Sequence, residues 1–218
     1  MLGMRIRNLT RGGLLMPTDI NLCLPPSELR QAVAQRYGQV ASDPEATSLF
    51  PVGRAFAEAV GYPAAQLDAL PSAAVKSFTG VTYLLPWCEL SPGETVVDLG
   101  CGAGVDAILA AGQVGPSGHV HGIDLAPEMV ALARDNVGEA GLATVEIHQA
   151  AVEALPLNGE MADVVTANGV FNLTPSKDVA LAEAFRALKP GGRLIAAEIV
   201  LTEILPEAER NTLDDWFR

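Results

Sequence analysis

Residues 96–106 read "VVDLGCGAGVD": a β-branched apolar run, then glycines at 100, 102 and 104, then the start of a small-residue helix. Glycines at such a turn let the backbone approach a ligand closely, and the helix that follows offers unpaired N–H groups to an anion. Asp98 and Cys101 sit inside the same turn. Asp124 closes the next apolar run, "GHVHGID", and stands 20 residues after Gly104. That is about the spacing at which a doubly wound nucleotide-binding fold places the acid that holds a ribose. A dinucleotide fingerprint, G-x-G-x-x-G, would need glycine at 105, where the chain has Val105, so the spacing argues against NAD. His119 and His121 have HxH spacing but no visible further ligands, and with His148 they read as ordinary strand residues. No metal is expected.

These groups need a scaffold, and the pattern supplies one. "TVVDLG", "GHVHGIDLA", "TVEIHQA", "ADVVTAN" and "RLIAAEIVL" read as five strands. "VDAILAAGQVG", "PEMVALARDNVGEAG" and "SKDVALAEAFRALKPGG" read as helices between them, the last with a proline–glycine stop. Strands alternating with helices predict a doubly wound α/β fold with a parallel sheet covered on both faces. Ahead of it, residues 27–90 are helical and punctuated by proline, which predicts a cap on the larger domain of residues 91–205. Residues 1–26 read as an arm and residues 206–218 as the start of a C-terminal helix. Little chain remains for strands beyond the fifth, so we expect an uncovered sheet edge that either pairs in a homodimer or is shielded by the arm.

Composition narrows the partners. The chain has 218 residues, 49% of them hydrophobic, and a net charge of −12. That field repels a phosphate backbone, so nucleic acid is not an expected partner. No apolar run approaches the length of a membrane span, so no membrane partner is expected either. Three scattered cysteines form no disulfide framework, which suits a cytoplasmic protein.

"VVDLGCGAG", "HGIDLAPEM" and "ALKPGGRL", in that order over residues 95 to 200, resemble the motifs of class I S-adenosylmethionine-dependent methyltransferases. The resemblance implies a Rossmann-like fold, S-adenosylmethionine as cofactor and S-adenosylhomocysteine as product. It also implies transfer of the sulfonium methyl to a small-molecule nucleophile. On that reading Asp98 orders the loop and the amino end of the cofactor, and Gly100, Cys101, Gly102 and Gly104 form the cradle. Asp124 accepts the ribose hydroxyls, Leu125 and Met129 flank the adenine, and Val152 and Glu153 meet its edge. Many relatives carry an acid where this chain has Ala151; Glu153 or water would take its part.

A narrower likeness covers the chain from about residue 31. "YGQVA", "LFPVGRAFAEAVGYP" and "NGVFNLTPSKDVALAEAFRALKPGGRLIAAEIV" resemble the arsenite methyltransferase family and its bacterial neighbours. It implies that Tyr37 belongs to a cap closing over the cofactor and that Asn168 lies beside the methionyl group. That family holds As(III) with cysteines, as a soft metalloid requires. Its cysteine positions fall here near Thr79 and Gly80, at Gly169, and just after Trp216 where the sequence ends. None is a cysteine, so arsenite methylation is disfavoured. The missing side chain at Gly169 is expected to widen the pocket for a bulkier organic acceptor bordered by Phe171 and Asn172. The alternatives are a quinone- or polyketide-type C- or O-methyltransferase, or a non-catalytic cofactor-binding module.

Overall fold

The computed structural model describes residues 25–46 and 50–200. The expected arm up to residue 24, Cys23 with it, and the expected C-terminal helix with Trp216 lie outside the described residues.

Five strands form one parallel sheet in the order β3-β2-β1-β4-β5. They are β1 (Thr95–Leu99), β2 (His119–Asp124), β3 (Val145–Gln149), β4 (Ala162–Asn168) and β5 (Leu188–Ala197). The first and fourth strands are neighbours, so the order reverses between them and opens a crevice at their carboxyl ends. The sequence explains the central position of β1: four consecutive residues, Val96 to Leu99, are buried, as a strand covered on both faces requires.

α5 (Val105–Val114) and α6 (Pro127–Glu139) pack on one face through Ala107, Ala111, Val130 and Ala133. α7 (Lys177–Ala187) packs on the other through Ala180, Ala184 and Ala187. Small residues at these positions let the helix axes approach the sheet. The crossover from β3 to β4 has no helix; Val152 and Leu155 fold back onto the sheet instead.

The cap comprises α1 (Pro26–Ser42), α2 (Arg54–Ala59), α3 (Ala64–Asp68), α4 (Ser72–Lys76) and an irregular segment to Leu90. Val40, Ala57, Leu67 and Phe78 from it join the same apolar cluster as Val96 and Val120 of the sheet. It therefore shares a core with the sheet. Arg193 of β5 fixes its far end, donating to the Cys88 and Glu89 carbonyls and pairing with Glu94 at 2.7 Å.

The last helix and strand depart from the sequence reading. α7 stops at Ala187, and the strand begins at once with Leu188 opposite Ala162. The register then shifts before Arg193 pairs with Val164, so the residues between, Lys189 to Gly192, form a bulge. The proline–glycine run thus interrupts a strand instead of ending a helix. Pro190 has no N–H to give the ladder, and Gly191 adopts a φ of 84° that suits a bulge.

Candidate functional site

The cleft opens at the carboxyl ends of β1, β2 and β4, under α1. Its main chamber runs from Arg30, Val33 and Tyr37 of α1 across Asp124 and Leu125 to Leu173 and Pro175. An inner recess lies between the glycine loop and the cap segment Ser77–Gly80; Asp98 and Asp106 line it, and Gly100, Gly102 and Asn168 belong to both.

The glycine loop is held by β2. Gly100 and Cys101 both donate to the Ile123 carbonyl, Gly102 donates to Asp124 Oδ2 at 2.9 Å, and Gly104 donates to the Cys101 carbonyl. All three glycines have positive φ, between 51° and 92°, which side-chain-bearing residues adopt only at a cost. Four loop amides are thus already used. The donors that open α5, which have no partner within the helix, remain for an anion.

Asp124 is tied on both oxygens, since Ala126 donates to Oδ1 at 2.9 Å. Asp124 also lines the chamber. Asp98 is only 2% exposed; Thr166 donates to its Oδ1 at 2.8 Å, while its Oδ2 is buried without a partner. No hydrogen bond joins Asp98 to the glycine loop, so ordering the loop is the work of Asp124. Burial, then the nearby Asp106 carboxylate, pushes the Asp98 carboxyl well above its ordinary range. Burial raises Asp106 and Asp124 as well.

Asn168, at the end of β4, bridges the sheet to the cap. Its Oδ1 accepts from the Val81 and Thr82 amides at 2.8 and 3.2 Å. Its Nδ2 lies within reach of the Tyr62 hydroxyl, the Thr82 carbonyl and Asp106 Oδ2. Tyr62 in turn donates to Asp106 Oδ1 at 2.6 Å. Tyr62, Asp106 and Thr166 did not emerge from the sequence as site residues. The carboxylate at the start of α5 was visible there, but its partner is 44 residues away.

Tyr37 and Leu125 wall the main chamber, and Tyr37 stacks on Phe50 with ring centroids 5.7 Å apart. Burial, then the Asp124 charge, raises the Tyr37 phenol far above its ordinary value, so it stays protonated. Val152 and Glu153 line the chamber beside Ala151. Arg30 engages the Oε1 of Glu153 at 3.1 Å, which ties α1 to the cleft wall.

Four expectations need correction. Met129 is fully buried in the core between α6 and the sheet and does not line the cleft. Phe171 is buried against α7 and β4, behind the chamber wall. Asn172 is held outside it, donating to the Ile199 carbonyl and accepting from Lys177. Val170, Leu173, Thr174 and Pro175 take the places expected of these two. Finally, the space beside Gly169 is not vacant: a Cβ there would come within 2.8 Å of Val81 Cγ2, so this cap residue has filled it. Gly169 also has a φ of 84°. Replacing it with alanine is expected to cost about 1–2 kcal/mol of stability from the left-handed backbone, and denaturant titration would measure it. An unchanged midpoint would mean that the backbone relaxes there.

Cys101 is a packing residue. Its sulfur lies over Gly122 of β2, where a Cβ would stand 2.9 Å from it, and burial raises its thiol strongly. Cys88 is fully buried and donates to the Leu84 carbonyl; burial pushes its thiol up to about 12.

The parallel sheet with its reversal at β1/β4, the glycine loop and the aspartate that closes β2 belong to a Rossmann-like class I methyltransferase fold. The methyltransferase-domain family profile matches residues 90–217, and the chain belongs to that family. It is 43% identical over 121 residues to an arsenite methyltransferase of Halobacterium salinarum, covering 56% of this chain and 31% of that one. It is 40% identical over 107 residues to a demethylmenaquinone methyltransferase of Listeria welshimeri, covering 49% and 45%. Among solved structures, an arsenic(III) S-adenosylmethionine methyltransferase from Chlamydomonas reinhardtii superposes with a TM-score of 0.60 at 31% identity, over 66% of this chain and 50% of that one. This chain spans less than half the length of the curated relatives it matches.

Proposed function

We propose that this chain is an S-adenosylmethionine-dependent methyltransferase acting on a small organic acceptor. The observation that carries the reading is the charge of the cleft. Three carboxylates, buried Asp98 and half-buried Asp106 and Asp124, line it, and one Asp98 oxygen is buried there without a donor. A buried acceptor of that kind calls for a cationic donor. S-adenosylmethionine brings an ammonium and a sulfonium; a dinucleotide would bring a pyrophosphate against three carboxylates.

When bound, this cofactor supplies a methyl group on a sulfonium, whose charge is lost on transfer, so a water-poor pocket favours reaction. The residues have distinct parts in this reading. Asp98 takes the ammonium, and the amides opening α5 take the methionyl carboxylate. Asp124 uses its remaining lone pairs for the ribose hydroxyls. The backbone at Val152 and Glu153 meets the adenine edge. Tyr37, Leu125 and the Arg30–Glu153 pair close the cap and exclude water. No side chain is assigned as a general base; transfer to a good nucleophile needs mainly alignment and desolvation.

The apolar wall of Val33, Val170 and Leu173 supports an organic acceptor, and a quinone-type ring is of the right character. Arsenite is disfavoured because, among the described residues, Cys88 faces the core and burial raises the thiols of both Cys88 and Cys101, whereas soft-metalloid affinity depends on several thiolates together. Calorimetry with S-adenosylhomocysteine and NAD tests the cofactor: the former is expected to bind and the latter not. Labelled methyl donor with a panel of quinols, phenols, and arsenite plus glutathione tests the acceptor. Tighter NAD binding would end the cofactor assignment, and methylated arsenicals would end the organic one.

A further inference from the structure

His121 on β2 and Glu146 on β3 are register partners, and His148 lies two residues beyond Glu146 on the same strand. Because side chains alternate along a strand, all three project from one face of the sheet at its β3 edge. His121 Nδ1 and His148 Nε2 stand 3.1 Å apart, and Glu146 Oε2 lies 4.0 Å and 3.8 Å from these two nitrogens. None of the three lines the cleft. The histidines are strand residues, as the sequence reading had them, but the partner of His121 is His148 of the next strand and not His119 of its own.

We propose that His121, His148 and Glu146 form a binding site for a divalent ion of the zinc class, separate from the cofactor cleft. Two imidazole nitrogens and a carboxylate oxygen are a donor set zinc takes, with the fourth position left for water. With Zn–N bonds of about 2.0–2.1 Å and tetrahedral angles, two ligand nitrogens sit about 3.3 Å apart. The observed separation of 3.1 Å is close to that. The Glu146 side chain is 63% exposed, so it can swing the remaining fraction of an ångström without disturbing the core. The histidines are less mobile: their side chains are 13% and 25% exposed, so the nitrogen pair is preorganised and little ordering is lost on binding. The hydrogen bond between the two nitrogens needs one N–H, and when an ion binds there that imidazole changes tautomer, its proton moving to its other ring nitrogen. The ion would clip the edge strand β3 to β2, just before the chain turns into the Ala151–Glu153 wall of the cleft.

The test uses tag-free, chelator-treated protein. Calorimetry is expected to show one zinc ion per chain, with a rise in melting temperature on addition of zinc. His121→Gln and His148→Gln are each expected to abolish both effects, and Glu146→Gln to weaken binding. Cobalt(II) provides a readout independent of the variants' folding: its visible spectrum in wild type should be that of nitrogen and oxygen ligands, without a thiolate charge-transfer band. No zinc binding, zinc binding that survives both histidine replacements, or a cobalt spectrum carrying that thiolate band would each overturn the proposal.

Discussion

Replacing Asn168 with alanine is expected to lower stability by about 3–4 kcal/mol. Its oxygen holds two cap N–H groups, and its two N–H groups are shared among the Thr82 carbonyl, Asp106 and the Tyr62 hydroxyl. Alanine strands the Val81 and Thr82 amides and removes a donor from Asp106, in a place where water replaces them poorly. The cap segment that walls the inner recess should loosen with it, so cofactor affinity falls alongside stability. Asn168→Asp separates the two roles of the amide. It keeps an acceptor for the two N–H groups but sets a carboxylate against Asp106, so its defect should be larger at neutral pH than in mild acid. Denaturant titration at both values measures this. A loss below about 1 kcal/mol in Asn168→Ala would mean that the cap is held by its apolar contacts alone.

Asp98→Asn is expected to weaken S-adenosylmethionine binding about 10- to 100-fold, the worth of a hydrogen bond to a charged group. In the ligand-free protein the same change should stabilise. Burial and Asp106 raise the Asp98 carboxyl above its unfolded value. The folded state therefore keeps a proton that the unfolded state has released, and stability declines as pH rises from the unfolded pKa toward the folded one. Asparagine is neutral throughout and escapes that penalty. A gain of about 1 kcal/mol would appear as a rise of about 2–4 °C in melting temperature for a chain of this size. Cofactor affinity should run the other way, since the ammonium needs the ionised carboxylate: wild-type binding should weaken as pH falls through the folded pKa. Asp106 and Asp124 face the same space and are also raised, so they add to the wild-type slope. Asp98→Asn should flatten it. Calorimetry across pH, with thermal melts of the ligand-free protein, checks both halves. Unchanged affinity in the variant would remove Asp98 from the cofactor site.

The sequence by itself determined the sheet and its cradle. Strand positions follow from β-branched runs, the crossovers from helical patterns between them, and the turn from glycines at 100, 102 and 104. These are local properties, set by what each residue's backbone and side chain can do within a few neighbours. They also placed Asp98 and Asp124 at strand ends, where the crevice forms. What the tertiary structure decided was which side chains meet across distance. Asn168 and Tyr62 are 106 residues apart and share Asp106; Val81 fills the space that Gly169 leaves; His148 completes a pair with His121 through the register of two strands. Met129 shows the same limit from the other side. A helical position two residues past a proline can face the core or the cleft with equal local propriety, and only the packing of α6 on the sheet turned it inward. Contacts of this kind depend on how whole elements dock, and no short stretch of sequence carries that information.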